Sequence, residues 1–225
     1  MDPEFWHARW KENRIGFHQP AINPWLLRYW PPPGTGPGDN VLVPLCGKSL
    51  DMLWLLEQGY RVTGVEISRI AVEAFFTEHR LVPEISQAGN FTRYHCDALD
   101  ILCGNYFTLD RLAAGEVRAV YDRASLIALP PAMRASYATR LASLLAPGTP
   151  CLLVTLEYDP RQMAGPPFAV SAQEVEHLYG GSFEIEPLCA ADVLGENGRF
   201  LEAGLTSLSE CIYRLQRKPA TGEAG

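Results

Sequence analysis

Within the stretch NVLVPLCGKSLDMLWLLEQGYRVTGVEIS, Asn40 to Ser68, two features can do chemistry together. Gly47 sits in a tight turn, and the carboxylate of Glu66 follows 19 residues later. A glycine there lets a ligand approach the backbone, and the start of the next helix offers free N–H groups. A carboxylate about 20 residues further on accepts hydrogen bonds from the two hydroxyls of a ribose. The elements that must position them are legible in the same stretch. Val41 to Val43 read as a buried strand, Pro44-Leu45-Cys46-Gly47 as the turn, and Ser49 to Gln58 as an amphipathic helix stopped by Gly59. Arg61 to Glu66 then form a second strand that ends on the acid. A β-α-β unit of this design holds an adenosine.

The turn narrows the choice of adenosine ligand. A dinucleotide fold needs G-x-G-x-x-G, and only one glycine is present. A phosphate-cradling loop needs a glycine five residues before Gly47-Lys48-Ser49, where Leu42 stands. With neither pyrophosphate loop present, a nucleoside without phosphates fits better, and S-adenosylmethionine is the common one.

Composition excludes several classes. At 225 residues the chain is read as one large domain, 1–225, long enough for a substantial core. No apolar run approaches the ~18 residues of a membrane span, and the acidic start Met1-Asp2-Pro3-Glu4 is unlike a secretory signal. Cys46, Cys96, Cys103, Cys151, Cys189 and Cys211 are scattered, with no C-x-x-C pair and no metal-ligand spacing. They read as reduced thiols of a cytoplasmic protein with no metal. A net charge of −7 without a Lys/Arg cluster argues against nucleic acid.

The other elements alternate. An N-terminal helix, Phe5 to Asn13, places Trp6 and Trp10 four apart on one face. A second begins at Asn23-Pro24, and the Pro31 to Gly38 tract reads as a linker that makes 1–38 a helical appendage or lid. Ser68 is placed to cap a helix through His79. Strands are expected near Arg93–Cys96, Arg118–Tyr121 and Cys151–Glu157, with helices near Leu109–Ala114 and Pro130–Leu145. Ser171 and Glu174 form a capping box opening a helix to Tyr179. Two last strands, near Phe183–Leu188 and Leu205–Leu215 with no helical pattern between, are expected to pair antiparallel at the sheet edge.

The combined motifs resemble the thiopurine S-methyltransferase family in its bacterial form over nearly the whole chain. They are Trp6 and Trp10, Gly16-Phe17-His18, Pro44-Leu45-Cys46-Gly47-Lys48, Gly64-Val65-Glu66-Ile67-Ser68, and Phe75-Phe76-Thr77-Glu78. Asp122-Arg123-Ala124, Leu156-Glu157-Tyr158-Asp159 and Gly165-Pro166-Pro167-Phe168 complete the set. The resemblance implies a Rossmann-like class I fold: a seven-stranded, mostly parallel sheet with helices on both faces and an antiparallel C-terminal hairpin. It implies S-adenosylmethionine as methyl donor, leaving S-adenosylhomocysteine, and aromatic or heterocyclic thiols as acceptors, with selenium or tellurium species in some members. Its cofactor contacts fall on Trp10, Leu45, Glu66 and Arg123. Asp97-Ala98 matches the segment after the third strand that meets adenine. Phe17 and Arg199 match the acceptor contacts. The expected assembly is a monomer.

Each residue also has a plainer reading: Trp6 and Trp10 as core packing, Arg123 as an ion-pair partner of Asp122, His18 and His95 as structural histidines. No catalytic base is assigned, because an aromatic thiol is acidic enough to react as its thiolate, and displacement at an activated methyl needs alignment above proton transfer. Two other classes compete: a nicotinamide-dependent oxidoreductase, disfavoured by the turn, and a binding protein that keeps the fold without turnover.

Overall fold

The computed structural model describes residues 3–219. Met1, Asp2 and the chain from 220 onward lie outside them, and with them part of the acidic start and of the short polar tail. The chain forms two compact units, divided between Tyr121 and Asp122.

The first unit holds α1 (Pro3–Lys11), α2 (Pro24–Tyr29), β1 (Asn40–Pro44), α3 (Asp51–Glu57), β2 (Arg61–Glu66) and α4 (Arg69–Glu78). It continues with β3 (Glu84–Ala88), β4 (Phe91–Cys96), β5 (Leu99–Cys103), α5 (Arg111–Ala114) and the start of β6 (Ala119–Arg123). The strands lie in the order β3-β4-β5-β2-β1-β6. β1 pairs parallel with both β2 and β6, and β2 pairs parallel with β5. Val41, Leu42 and Val43 are buried, as a strand covered on both faces requires. In α4 the buried residues are Ala71, Val72, Phe75 and Phe76, a stripe at helical spacing. Gly64 in β2 answers to close packing, since a Cβ there would come within 2.8 Å of Cys46 Sγ.

The second unit holds α6 (Ser125–Ala128), α7 (Pro131–Leu144), β7 (Pro150–Glu157), α8 (Ala172–Tyr179), β8 (Phe183–Asp192), α9 (Gly198–Glu202) and β9 (Ser209–Arg217). β9 pairs antiparallel with β7 and with β8, which lies at the edge as the C-terminal hairpin required.

The described residues form nine strands rather than seven, and the sheet is mixed rather than mostly parallel. The additions are β3 and β5. β3, EISQA, is exposed or half-buried throughout, so it carries no apolar alternation to read. β5 follows β4 after only Asp97 and Ala98, so the two merge into one signal in sequence. Other differences are local. The Pro31–Gly38 tract is held by hydrogen bonds: Thr35 Oγ1 donates to Pro32 O, Gly36 N–H to Asp39 Oδ2 and Gly38 N–H to Gly59 O. Ser68 occupies the cap position of α4, but its hydroxyl makes no cap bond. Ser171 caps Glu174 N–H at 3.2 Å, while the Glu174 carboxylate turns to Arg134 instead of closing the box. Helix α9 stands between β8 and β9, where no helical pattern was read.

Candidate functional site

β2 carries Glu66 to the edge of the turn after β1, where the acid is 6% exposed. Its Oε1 accepts the Ser68 N–H at 2.7 Å and its Oε2 the Gly47 N–H at 2.9 Å. Loss of water raises the Glu66 pKa to about 7, and the N–H groups of Ser68, Gly47 and Ile67 only partly oppose this. A carboxylate has about four lone-pair positions; the three N–H groups leave capacity for a further hydroxyl donor.

The turn itself is strained. Leu45 lies at φ 48° and Gly47 at φ 53°, both left-handed. A branched residue in that region costs roughly 1–3 kcal/mol, and such strain gathers at ligand sites. Cys46 N–H returns to Val65 O at 2.9 Å, which clamps the turn onto β2. The Cys46 thiol is buried, and burial followed by the charge of Glu66 pushes its pKa well up, so it is an inert packing group.

Trp10 closes over this turn, and Phe17 packs behind it. Trp10, 8% exposed, faces Gly47 so closely that a Cβ there would lie 3.2 Å from Trp10 Cζ2. Phe17 packs edge-to-face on Trp10 at 5.3 Å between centroids and on Trp6 at 5.5 Å. The first unit thus brings Trp10, Phe17, Leu45, Gly47 and Glu66 together.

Asp97 and Ala98 lie in the short link between β4 and β5, at the end of β5 away from Glu66. The third parallel strand is β5, and the pair precedes it. Leu99 stands opposite Val62 and Cys103 opposite Glu66, while Val62 N–H donates to Ala98 O at 2.9 Å. At ~3.3 Å per residue the pair is therefore roughly 13 Å or more along the strand from Glu66. The segment that does leave β5 beside Glu66 is Gly104-Asn105-Tyr106, with Gly104 N–H on Glu66 O at 2.9 Å. The mostly apolar stretch Leu99–Cys103, broken by Asp100 and followed by a glycine, was the available signal for it.

The second unit holds the remaining predicted residues. Arg123 ends β6, half-buried, ahead of Ala124 at φ 68°. Among the described residues it forms no salt bridge with Asp122, whose Oδ2 accepts the Tyr137 hydroxyl at 2.7 Å. Asp122 is fully buried, and that burial pushes its pKa up to about 6. Arg199 lies on α9, exposed, with its guanidinium 4.5 Å from the Phe200 ring centroid. The Gly165–Phe168 segment is pinned: Tyr158 Oη donates to Pro167 O at 2.6 Å and Phe168 N–H to Ile127 O at 2.7 Å. Buried Arg134 donates to Ala169 O and Leu129 O and, at 2.7 Å, to both oxygens of Glu174.

His95 is engaged on the sheet, with Nδ1 2.9 Å from Asp100 Oδ1, and Arg93 donates twice to the same carboxylate. Among the described residues no group of three or more His, Cys, Asp or Glu side chains could hold a metal ion.

The fold is shared with solved methyltransferases. A Burkholderia thailandensis 1,6-didemethyltoxoflavin-N1-methyltransferase, solved with S-adenosylhomocysteine, matches with a TM-score of 0.62 at 18% identity, over 96% of this chain and 87% of that one. A methyltransferase from Methanosarcina mazei matches with a TM-score of 0.62 at 17% identity, over 88% of this chain and 98% of that one. Sequence relatives are much nearer. A thiopurine S-methyltransferase of Pseudomonas fluorescens SBW25 is 52% identical over 215 residues, covering 96% of this chain and 99% of its own. One from Azotobacter vinelandii is 49% identical over 218 residues, covering 97% and 100%. The family model for thiopurine S-methyltransferase matches residues 1–218, and the chain belongs to that family.

Proposed function

We propose that this chain methylates the sulfur of aromatic or heterocyclic thiols such as thiopurines, with Trp10, Leu45, Glu66 and Arg123 holding S-adenosylmethionine and Phe17 and Arg199 meeting the acceptor. S-adenosylmethionine-dependent S-methylation is the activity of the family. The observation that carries the site reading is Glu66, a buried carboxylate at the tip of β2 bonded to Gly47 N–H at 2.9 Å, with capacity for further donors. Ribose hydroxyls fit that capacity, and their donation would favour the ionised form that burial opposes. The register of β5 favours Asn105-Tyr106, in place of Asp97-Ala98, as the segment facing adenine.

When bound, S-adenosylmethionine supplies a methyl group already activated on a sulfonium. The residues of this chain have the simpler tasks of holding, aligning and drying. Trp10 and Phe17 exclude water from the turn, which strengthens a thiolate as nucleophile. Arg123 and Arg199 offer planar guanidinium groups to carboxylate and anionic acceptor. No side chain is needed to take a proton from a thiol that is already ionised.

Selenols and tellurite are further acceptors in this reading, which makes the protein a detoxifying enzyme. We read it as a cytoplasmic monomer; the scattered free thiols support that compartment. Calorimetry with S-adenosylmethionine and with NAD, followed by labelled methyl transfer to thiophenol, 6-mercaptopurine, a selenol and tellurite, tests the assignment. Cofactor binding without transfer to any of these would leave a binding protein, and NAD binding would overturn the reading.

A further inference from the structure

Asp51 opens α3, is 2% exposed, and has no part in the site described above. Its two oxygens face two distant elements of the first unit. Oδ1 accepts the main-chain N–H of Asn23 at 2.8 Å, 28 residues earlier, and Oδ2 accepts the Tyr121 hydroxyl at 3.0 Å, 70 residues later. Asn23 and Tyr121 are each 1% exposed, so water cannot replace either bond if the carboxylate is lost.

The Asn23 side chain does not make this link. Its Oδ1 is spent on the Trp25 N–H that starts α2, and its Nδ2 is buried with no partner among the described residues. The main-chain N–H to Asp51 is what ties this point of the chain to α3. Asp51 in turn lies four residues beyond Gly47, the glycine that Trp10 covers. The segment from Trp10 to Asn23 is therefore closed at both ends on one short stretch, by Trp10 on Gly47 and by Asn23 on Asp51. Phe17 lies in the middle of that closed loop, against Trp10.

A buried carboxylate is an expensive way to gain stability, because apolar side chains of similar volume often serve as well or better. What it offers is a defined position for the groups bonded to it. We propose that Asp51 is a positioning residue for methyl transfer, which holds the Trp10–Asn23 loop so that Phe17 is presented to the acceptor. The proposal rests on reading Phe17 as an acceptor contact and Trp10 as a cofactor contact.

The test compares wild type, Asp51→Asn and Tyr121→Phe in the full chain. A merely structural loss lowers kcat with the fraction folded and leaves KM alone. A positioning loss raises the thiol KM about tenfold in Asp51→Asn, the scale of one charge-assisted bond, with kcat within about threefold. Tyr121→Phe keeps the Asn23 bond and should raise the same KM by about two- to threefold; it serves alone if Asp51→Asn does not fold. In a Trp10→Ala background the Asp51→Asn effect should shrink, because both changes act on one loop. Amide hydrogen exchange without ligand gives a readout independent of the acceptor: residues 10–23 should exchange about tenfold faster in Asp51→Asn, with β1 and β2 unchanged. Unchanged exchange of 10–23 in both variants, or a thiol KM equal to wild type, overturns the proposal. A wild type that binds S-adenosylmethionine and methylates no thiol would instead sink the acceptor assignment, and the exchange result would still decide Asp51.

Discussion

The amide N–H of Gly47 donates to Glu66 Oε2 at 2.9 Å, so the turn after β1 and the tip of β2 share one hydrogen bond across 19 residues of sequence. A ligand on this turn meets a carboxylate already oriented by two main-chain donors, Gly47 and Ser68. This arrangement makes the cofactor's dependence on Glu66 measurable. On the proposed reading, Glu66→Ala removes charge-assisted bonds to the two ribose hydroxyls, each worth roughly 1.5–3 kcal/mol. Calorimetric affinity for S-adenosylmethionine should fall about a hundredfold or more, at about 1.4 kcal/mol per tenfold. Near-normal binding by a folded variant would remove Glu66 from the site.

Acidity gives a second prediction, with opposite signs for binding and for stability. In the proposed site ribose hydroxyls would donate to the ionised form of Glu66, whose pKa burial raises to about 7. Cofactor affinity should hold above about pH 7 and fall, by up to tenfold per pH unit, below it. The ligand-free protein should behave the other way. A carboxyl raised from 4.5 to about 7 binds more protons folded than unfolded, so its contribution is present below 4.5 and is lost as pH rises through 7. Asp122, raised to about 6, acts in the same direction. Thermal melts and calorimetry between pH 5 and 8 in one buffer series read both trends; parallel trends would mean the titrating group is not at the cofactor.

Gly47 tests the closeness of Trp10. Its φ of 53° suits glycine, and an added Cβ would lie 3.2 Å from Trp10 Cζ2. Gly47→Ala should cost stability of ~1–2 kcal/mol from the backbone alone. Displacing Trp10 should weaken S-adenosylmethionine by roughly tenfold in addition (about 1.4 kcal/mol). Urea denaturation and calorimetry separate the two effects, and a variant with wild-type affinity would show that Trp10 does not cover the cofactor.

A reaction that needs no general base, as proposed, predicts how rate depends on the thiol. His95 is committed to Asp100 at 2.9 Å. Changing His18 or His95 to Gln should slow methylation of thiophenols by far less than the ~10²–10⁴-fold of a lost base. The pH–rate profile should move with the pKa of each thiophenol. A profile pinned to one value for every thiol and abolished in a histidine variant would reveal a base.

Arg134 predicts stability in the second unit. It is 1% exposed and donates to Leu129 O, Ala169 O and Glu174. Arg134→Met leaves these acceptors without their donor, a change that typically costs about 3–5 kcal/mol. Urea denaturation measures it; a loss under about 1 kcal/mol would mean the Glu174 partnership contributes little.

The first β-α-β unit was legible because its signals are local. An apolar strand, a glycine turn, an amphipathic helix and an acid at a counted distance each lie within a few residues of the structure they specify. Glu66 and Gly47 were placed on that basis, and α2 with its Asn23 cap likewise. The family resemblance added Trp10, Leu45, Arg123 and Phe17, and only tertiary packing brought Trp10 to Gly47 and Phe17 onto Trp10. The position of Asp97-Ala98 relative to Glu66 was not legible, because register is not local. Which end of a strand faces the site depends on whether it runs parallel or antiparallel to β2, and β4 and β5 differ in that respect while reading as one apolar segment. The Ser68 hydroxyl and the Glu174 carboxylate fit their capping motifs in sequence; in the fold, Ser68 meets Glu66 through its N–H instead, and Glu174 turns to the buried cation of Arg134. Asp51 carried no signal beyond a helix start, since its partners Asn23 and Tyr121 are joined to it only through three elements folded together. Sequence alone determined the local elements and the chemistry they can carry; strand direction, and competition among buried polar groups for partners, decided which of those groups meet.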